Sequence, residues 1–128
     1  MIRLIQRRLI IPRGDTGSFT IPLLGQVEDG DVAVFSIFDP LTKTTVCEKH
    51  FSVTAEVLEA KNLNIVLERD DTVNLKAKKY FWDVTMYHTP SYNSDNVLIG
   101  GAEINSYYAG FSLPICEIKE VAENVPRA

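Results

Sequence analysis

Short segments in which apolar and polar residues alternate recur along this 128-residue chain, and they restrict its fold more than any other feature. Residues 18–24, 63–67 and 80–87 each place apolar or aromatic side chains at every second position. Such a period of two is typical of a strand that buries one face. No segment sustains the 3.6-residue period of an amphipathic helix. The pattern therefore predicts an all-β protein.

Turn-forming residues separate these segments. Residues 25–31, 39–43 and 89–96 are rich in Gly, Pro, Asn and Asp and are predicted to be loops or turns. The predicted strands are residues 2–11, 18–24, 32–38, 47–57, 63–67, 80–88, 97–104 and 111–121. One short helical turn is left open within 69–79. About seven to nine short strands predict an antiparallel β-sandwich, immunoglobulin-like in outline, as a single domain over residues 1–128.

The core of this sandwich is predicted from the same alternation. Residues 32–38 are apolar on both faces, as expected of a central strand. The side chains predicted to form the core are Phe19, Ile21, Phe35, Ile37, Ile65, Leu67, Tyr80, Trp82 and Val84.

Charge and hydrophobicity argue against two classes of partner, nucleic acids and membranes. The net charge is -4, and a weakly acidic domain is a poor candidate for binding nucleic acid through its phosphates. Arginines at positions 3, 7, 8 and 13 crowd the first strand and turn; we interpret them as a solvated strand face, with a local nucleic-acid contact as the alternative. No apolar run reaches the roughly 20 residues of a spanning helix, so no membrane partner and synthesis in a cytoplasm are expected.

Residues that carry catalytic or metal chemistry are few. Cys47, His50, His88 and Cys116 lack the spacing of a zinc site, and both thiols are expected to be free and reduced. No nucleophile motif, phosphate-binding loop or calcium-loop spacing is present. The sequence therefore predicts no catalytic residue, no metal and no cofactor.

Two separate stretches combine turn and strand signals. Arg13, Gly14, Asp15 and Thr16 form a predicted turn motif that leads into the strand at 18–24, with Gly14 expected at positive φ. Further along, D-T-x-x-L from position 71 precedes the aromatic strand, which begins Y-F-W-D-V at position 80.

In this order the two stretches resemble the N-terminal β-sandwich domain of phage upper-baseplate proteins and related tail proteins. That family opens with an R-G-D-T-x-x-F-x-I-like turn and strand and continues with a D-T-x-x-L…Y-x-Y/W-D-I/V block. The matching positions are Arg13, Gly14, Asp15, Thr16, Phe19, Ile21, Asp71, Thr72, Leu75, Tyr80, Trp82 and Asp83. Family members often carry a glycine where this chain has Lys78-Lys79, and they are usually longer, with a C-terminal receptor-binding or fibre part.

The resemblance implies a non-enzymatic structural protein of a phage virion, made in the host bacterial cytoplasm. It would act as a tail, baseplate or fibre-attachment adaptor. Its expected partners are other virion structural proteins, and a homo-oligomer or ring is expected. The alternative is a carbohydrate- or host-receptor-binding β-sandwich module, for which Tyr92, Asn93 and Asp95 form the one suggestive cluster.

Contacts with partners are expected at edges and loops. The first candidate is the long segment 2–11, which would pair with a neighbouring subunit by strand addition. The second is the polar loop 89–96. Adjacent tyrosines on a strand face opposite ways, so one of the pair at 107–108 is expected to be exposed, although a packed ring with a solvated hydroxyl is the alternative. The candidate interface residues are Arg7, Arg8, Tyr92, Asn93, Tyr107 and Tyr108.

Overall fold

A computed structural model describes residues 1–23, 27–95, 98–106 and 114–120, with the backbone alone for 89–91 and 98–106. These residues form nine strands and two short helices. The strands are β1 (Arg3–Ile5), β2 (Arg8–Pro12), β3 (Gly17–Pro22), β4 (Val32–Asp39), β5 (Thr44–Ser52), β6 (Asn62–Leu67), β7 (Lys79–Tyr92), β8 (Leu98–Ser106) and β9 (Ile115–Lys119). The helices are α1 (Ala55–Ala60) and α2 (Arg69–Thr72). The all-β prediction is confirmed.

The strands form two sheets. The large sheet has the order β1-β2-β9-β7-β4-β5, with β8 also paired to β7, and the small sheet pairs β3 with β6. Every pair is antiparallel except β2 with β9, which run parallel. Parallel neighbours require a long connection, and here more than 100 residues separate the two strands. The large sheet is therefore mixed, which the expectation of an antiparallel sandwich did not include.

Strand β7 organises the large sheet. One of its edges pairs with β4 along Phe81–Tyr87. Its other edge is shared, because β9 pairs with Lys79–Phe81 and β8 pairs from Thr85 onward. The sheet therefore divides beyond Phe81 into one branch that leads to β1 and another that ends in β8.

The two sheets pack face to face around one aromatic cluster. The Phe19 ring of the small sheet lies edge-on against Phe35 and Trp82 of the large sheet, with centroid distances of 5.8 and 5.6 Å. Edge-to-face contact is a favoured geometry for aromatic pairs. All nine side chains predicted for the core are buried in this cluster. Burial of the alternating face of each strand explains the two-residue period of the sequence.

A lysine ties β5 to the small-sheet side of the sandwich. Lys49 Nζ donates to the backbone oxygen of Val66 at 2.9 Å and to Asp71 Oδ2 at 2.8 Å. Val66 lies on β6 and Asp71 on α2, so one ammonium group bridges three elements. A lysine that points inward from the terminal strand also discourages edge-to-edge pairing with another chain.

Helix α1 replaces half of a predicted strand. Residues 47–57 were expected to be extended, but β5 ends at Ser52 and α1 begins at Ala55. Thr54 caps the helix by accepting a hydrogen bond from Val57 N, and Lys61 ends it in the left-handed conformation at φ 60°. Ala, Leu and Glu favour helix, and the Thr54 cap stabilises a helix here in place of the strand that the short apolar–polar alternation predicted. The helical turn left open within 69–79 is present as α2.

Two further expectations are wrong. Residues 2–11 form a hairpin, not one long strand, because the chain turns at Gln6, whose φ is 57°. The edge available for strand addition is therefore β1, three residues long. The expected loop at 89–96 is also shorter, since β7 continues to Tyr92 before the turn at 93–95.

Candidate interaction surface

The turn motif joins two distant parts of the chain. Gly14 has φ 75°, as predicted, and its backbone N–H donates to Thr72 Oγ1 at 2.8 Å. The side chain of Thr72 is fully buried at the end of α2. Residues 58 positions apart, from the two stretches singled out in the sequence, thus meet in one buried hydrogen bond.

Two other residues of the motif, Arg13 and Asp15, form ion pairs with residues near the two ends of the chain. Arg13 forms an ion pair with Glu120, and its backbone N–H donates to the oxygen of Lys119 at 2.8 Å. The N-terminal ammonium lies 2.9 Å from Asp15 Oδ2. Thr16 is exposed. These contacts give Arg13, Gly14 and Asp15 a structural role in holding the turn against β9 and the N-terminus.

We expect Gly14→Ala to lower the free energy of unfolding by about 1 kcal/mol or more, because a Cβ strains the left-handed backbone. Urea denaturation measures the difference. Gly14→Asn is the matched control, since asparagine tolerates this conformation better than alanine, and it should lose less. Equal stability of the Gly14→Ala variant and the wild type would show that the turn does not need glycine.

The β1–β2 hairpin is anchored to the sheet through both candidate arginines. Arg8 forms an ion pair with Glu117 on β9. The backbone oxygen of Arg7 accepts a hydrogen bond from Trp82 Nε1 at 3.0 Å. Both arginine side chains are exposed. The hairpin is thus held by the Arg7 backbone and by the Arg8 guanidinium, and both side chains are still exposed to solvent.

A row of largely apolar side chains crosses the outer face of the large sheet. Ladder pairing places Ile5 opposite Arg8, and it places Phe81 opposite both Phe38 and Ile115. Leu9 pairs with Cys116, so continuing the β2–β9 register by one residue sets Arg8 beside Ile115. Residues opposite one another in a ladder share a face. Ile5 is 50% exposed and Ile115 37%, while the two phenylalanines are half-buried. We call these five residues the outer row; they end at β1, the edge strand of the large sheet among the described residues.

Basic residues surround one carboxylate next to the outer row. The Arg8 guanidinium hydrogen-bonded to Glu117 holds the pKa of that carboxyl below its usual range, and Lys119 and Lys79 add to the effect. Arg3 lies in the same ladder row as Glu117 through Ile10. We call Arg3, Arg8, Lys79 and Lys119 the basic face. It has an excess of three positive charges over Glu117 in a chain of net charge -4.

The other candidate interface residues lie elsewhere. Tyr92 is 41% exposed, with its ring 6.4 Å from that of His50, and Asn93 Oδ1 accepts from the Asp95 N–H at 2.9 Å. Tyr92 is separated from Trp82, which contacts the hairpin, by about 30 Å of extended strand. The hairpin and Tyr92 are thus not brought together, and the tyrosine pair at 107–108 lies outside the described residues.

An acidic cavity opens at the start of β4. It has a volume of about 410 Å³ and is lined by Glu28, Asp29, Gly30, Asp31 and His88. Asp31 is 5% exposed, and its Oδ2 lies 2.8 Å from His88 Nδ1 and accepts from Glu28 N at 2.7 Å. Glu28 and Asp29 are exposed at the rim. We call residues 28–31 the acidic loop; the sequence predicted a loop at 25–31 but not its contact with His88, because only the fold brings the two together.

A part-buried ion pair also escaped the sequence reasoning. Lys78 Nζ donates to both carboxylate oxygens of Asp39 at 2.8 Å, which holds the pKa of Asp39 below its ordinary value. The same ammonium lies 5.0 Å from the centre of the Tyr80 ring. Lys78 occupies the position where the sequence departs from the baseplate pattern. The available signal was an aspartate at the end of a buried strand, a position that usually requires a partner.

The thiols and histidines lie in separate environments. Cys47 and Cys116 are buried and free, and His50 Nε2 lies 3.1 Å from Glu48 Oε2. Within residues 1–23, 27–95, 98–106 and 114–120, no three His, Cys, Asp or Glu side chains are arranged to hold a metal ion. No helix of those same ranges has the length and apolar content needed to cross a membrane.

Comparison with known proteins gives no relative. No family model, no curated protein and no solved structure matches this chain. The resemblance to phage baseplate domains therefore stays a prediction from the motif residues.

Proposed function

We propose that this chain is a non-enzymatic structural protein of a phage virion, an adaptor of the tail, the baseplate or a fibre attachment that works through protein–protein contacts. The observation that carries the proposal is the buried hydrogen bond between Gly14 and Thr72. It unites the two stretches on which the resemblance depends, so the matching residues form one structural unit.

The outer row supports contact with other proteins as the mode of action. Exposed apolar side chains gathered in one place mark interaction surfaces more often than scattered ones do. Here Ile5 and Ile115 lie on either side of Arg8, next to β1 at the end of the large sheet in the described part of the chain. Arginine and large apolar side chains are common anchors of protein interfaces. We propose this row as the attachment surface within the particle.

Mass spectrometry of purified virions tests the proposal directly. The chain should be present as a stoichiometric component, at a copy number that fits a symmetric assembly. Its absence from intact particles would refute the proposal.

Replacing Ile5 and Ile115 with aspartate should reduce incorporation of the chain into particles about tenfold or more, because interface centres exclude unpaired charge. Particles are grown with each variant supplied in trans, and the chain is quantified by mass spectrometry. Val66→Asp is the matched control, since Val66 is 40% exposed on the small sheet and should leave incorporation unchanged. If the Ile5→Asp, Ile115→Asp variant is incorporated as well as the Val66→Asp control, the outer row is excluded as the attachment surface.

Truncation of residues 2–8 is not a clean test of attachment. Ile2 is 7% exposed and belongs to the core, and Arg7 holds the Trp82 indole. Deletion of these residues is therefore expected to destabilise the fold, and point substitutions on the outer row are preferred.

A carbohydrate- or host-receptor-binding module is the second candidate. The observation in its favour is the exposed Tyr92, which is followed in the chain by the turn in which Asn93 Oδ1 accepts from the Asp95 N–H; an aromatic ring, an amide and a carboxylate are side chains suited to a sugar. Tyr92→Ala would then abolish binding of the purified chain to host cells. Binding that survives this substitution would remove the candidate.

A further inference from the structure

We infer that the basic face is the docking surface for the acidic loop of a second copy of this chain, in a head-to-tail contact. This inference rests on the proposed function, because it specifies how copies of an assembly protein meet. Two different surfaces of the same chain form such a contact, and it generates a ring when the rotation between copies closes.

Charge complementarity identifies the occupant. The four cations of the basic face outnumber Glu117 by three, and side chains that carry like charges would repel in a face-to-face pairing of two basic faces. The acidic loop has the opposite charge, with the Glu28 and Asp29 carboxylates at its exposed rim. The chain has a net charge of -4 and still gathers cations on one face. Each copy therefore carries both the basic and the acidic surface that the contact needs.

The shapes of the two surfaces agree with this assignment. The acidic loop borders an open cavity of about 410 Å³, which can admit a lysine or arginine side chain from a neighbour. Lys79 and Lys119 are exposed, and their long stems allow such an approach. Ile5 and Ile115 border the basic face and would supply the apolar part of the interface.

Reversing charge on each surface separately tests the contact. Variant one carries Lys79→Glu and Lys119→Glu, and variant two carries Glu28→Lys and Asp29→Lys. All four side chains are exposed, and the Arg8–Glu117 and Asp31–His88 pairs are left intact. Near-ultraviolet circular dichroism of Trp82 checks that both variants are folded.

Sedimentation velocity at low ionic strength measures the result. The wild type should self-associate, and each variant alone should associate about tenfold more weakly or worse, because like charges then face each other. An equimolar mixture should associate again, since each reversed surface now meets its complement. High salt should weaken association of the wild type and of the mixture.

A monomeric wild type, variants that associate as the wild type does, or a mixture that stays monomeric would each overturn the inference. Its failure is distinguishable from failure of the proposed function. A chain found in virions that is monomeric in solution would leave the proposed function standing. If the chain self-associates as described but is absent from virions, the proposed function is refuted and the head-to-tail contact is retained.

Discussion

Replacing Trp82 with alanine is expected to lower the free energy of unfolding by about 3–5 kcal/mol, which is a large part of the stability of a domain of this size. Trp82 is 1% exposed and packs against Phe19 and Phe35, so truncation opens a cavity between the two sheets. The indole N–H also holds the β1–β2 hairpin through the Arg7 backbone oxygen.

Urea denaturation followed by far-ultraviolet circular dichroism measures this loss. Trp82→Phe is the control, because it keeps an aromatic ring in the cluster and removes the indole N–H. It should lose less than half as much. An alanine variant with the wild-type midpoint and slope would show that Trp82 is not central to the core.

Stability is expected to fall steeply above pH 9 because of the two buried thiols. Burial raises the pKa of Cys47 from 9.0 to about 11 and raises that of Cys116 further. Above pH 9 the unfolded chain releases these protons while the native state retains them. The unfolded state then binds fewer protons, so stability falls as pH rises. Cys47 alone accounts for about 2 kcal/mol of this loss between pH 9 and 11.

Denaturation midpoints measured from pH 7 to pH 11 test this prediction. Other groups titrate in the same range, so the comparison is with a Cys47→Ala, Cys116→Ala double variant, which has no buried thiol. This variant should be less stable at pH 7, because of the cavities it creates, but its stability should fall less steeply above pH 9. Parallel curves for the two proteins would contradict the raised thiol pKa values.

The buried thiols also bear on the resemblance to immunoglobulin domains. Trp82 lies between Cys47 and Cys116 in sequence, as in domains with a conserved inter-sheet disulfide. Cys47 lies on β5 and Cys116 on β9, which belong to the same large sheet, and both thiols are free. The core is therefore held by the aromatic contacts of Phe19 with the large sheet and not by a cross-link.

The charged head-to-tail contact and the apolar outer row should give assembly different dependences on salt concentration. Ile5 and Ile115 provide apolar area, whereas Lys79 and Lys119 provide orientation and salt dependence. Substituting the isoleucines should weaken assembly at all salt concentrations. Substituting the lysines should weaken it mainly at low salt, where charges are least screened.

The sequence by itself determined the elements whose residues bury one face. Strands β3, β6 and β7 were predicted, together with their core side chains, because burial of one face imposes a two-residue period that can be read locally, and β4 was predicted from its continuous apolar run. The positive φ of Gly14 was also predicted from local sequence, because a tight turn before a strand often requires a residue that can adopt positive φ. The turn motif was therefore visible before any contact was known.

Only the tertiary structure decided how these elements meet. The Gly14–Thr72 and Lys78–Asp39 contacts join residues 58 and 39 positions apart, and neither partner carries a local signal of the other. The parallel pairing of β2 with β9, the turn at Gln6 and the capped helix α1 likewise depend on competition between packing and local preference. The basic face and the acidic loop exist as surfaces only after strands distant in sequence become neighbours, because strand pairing decides which charges share a face.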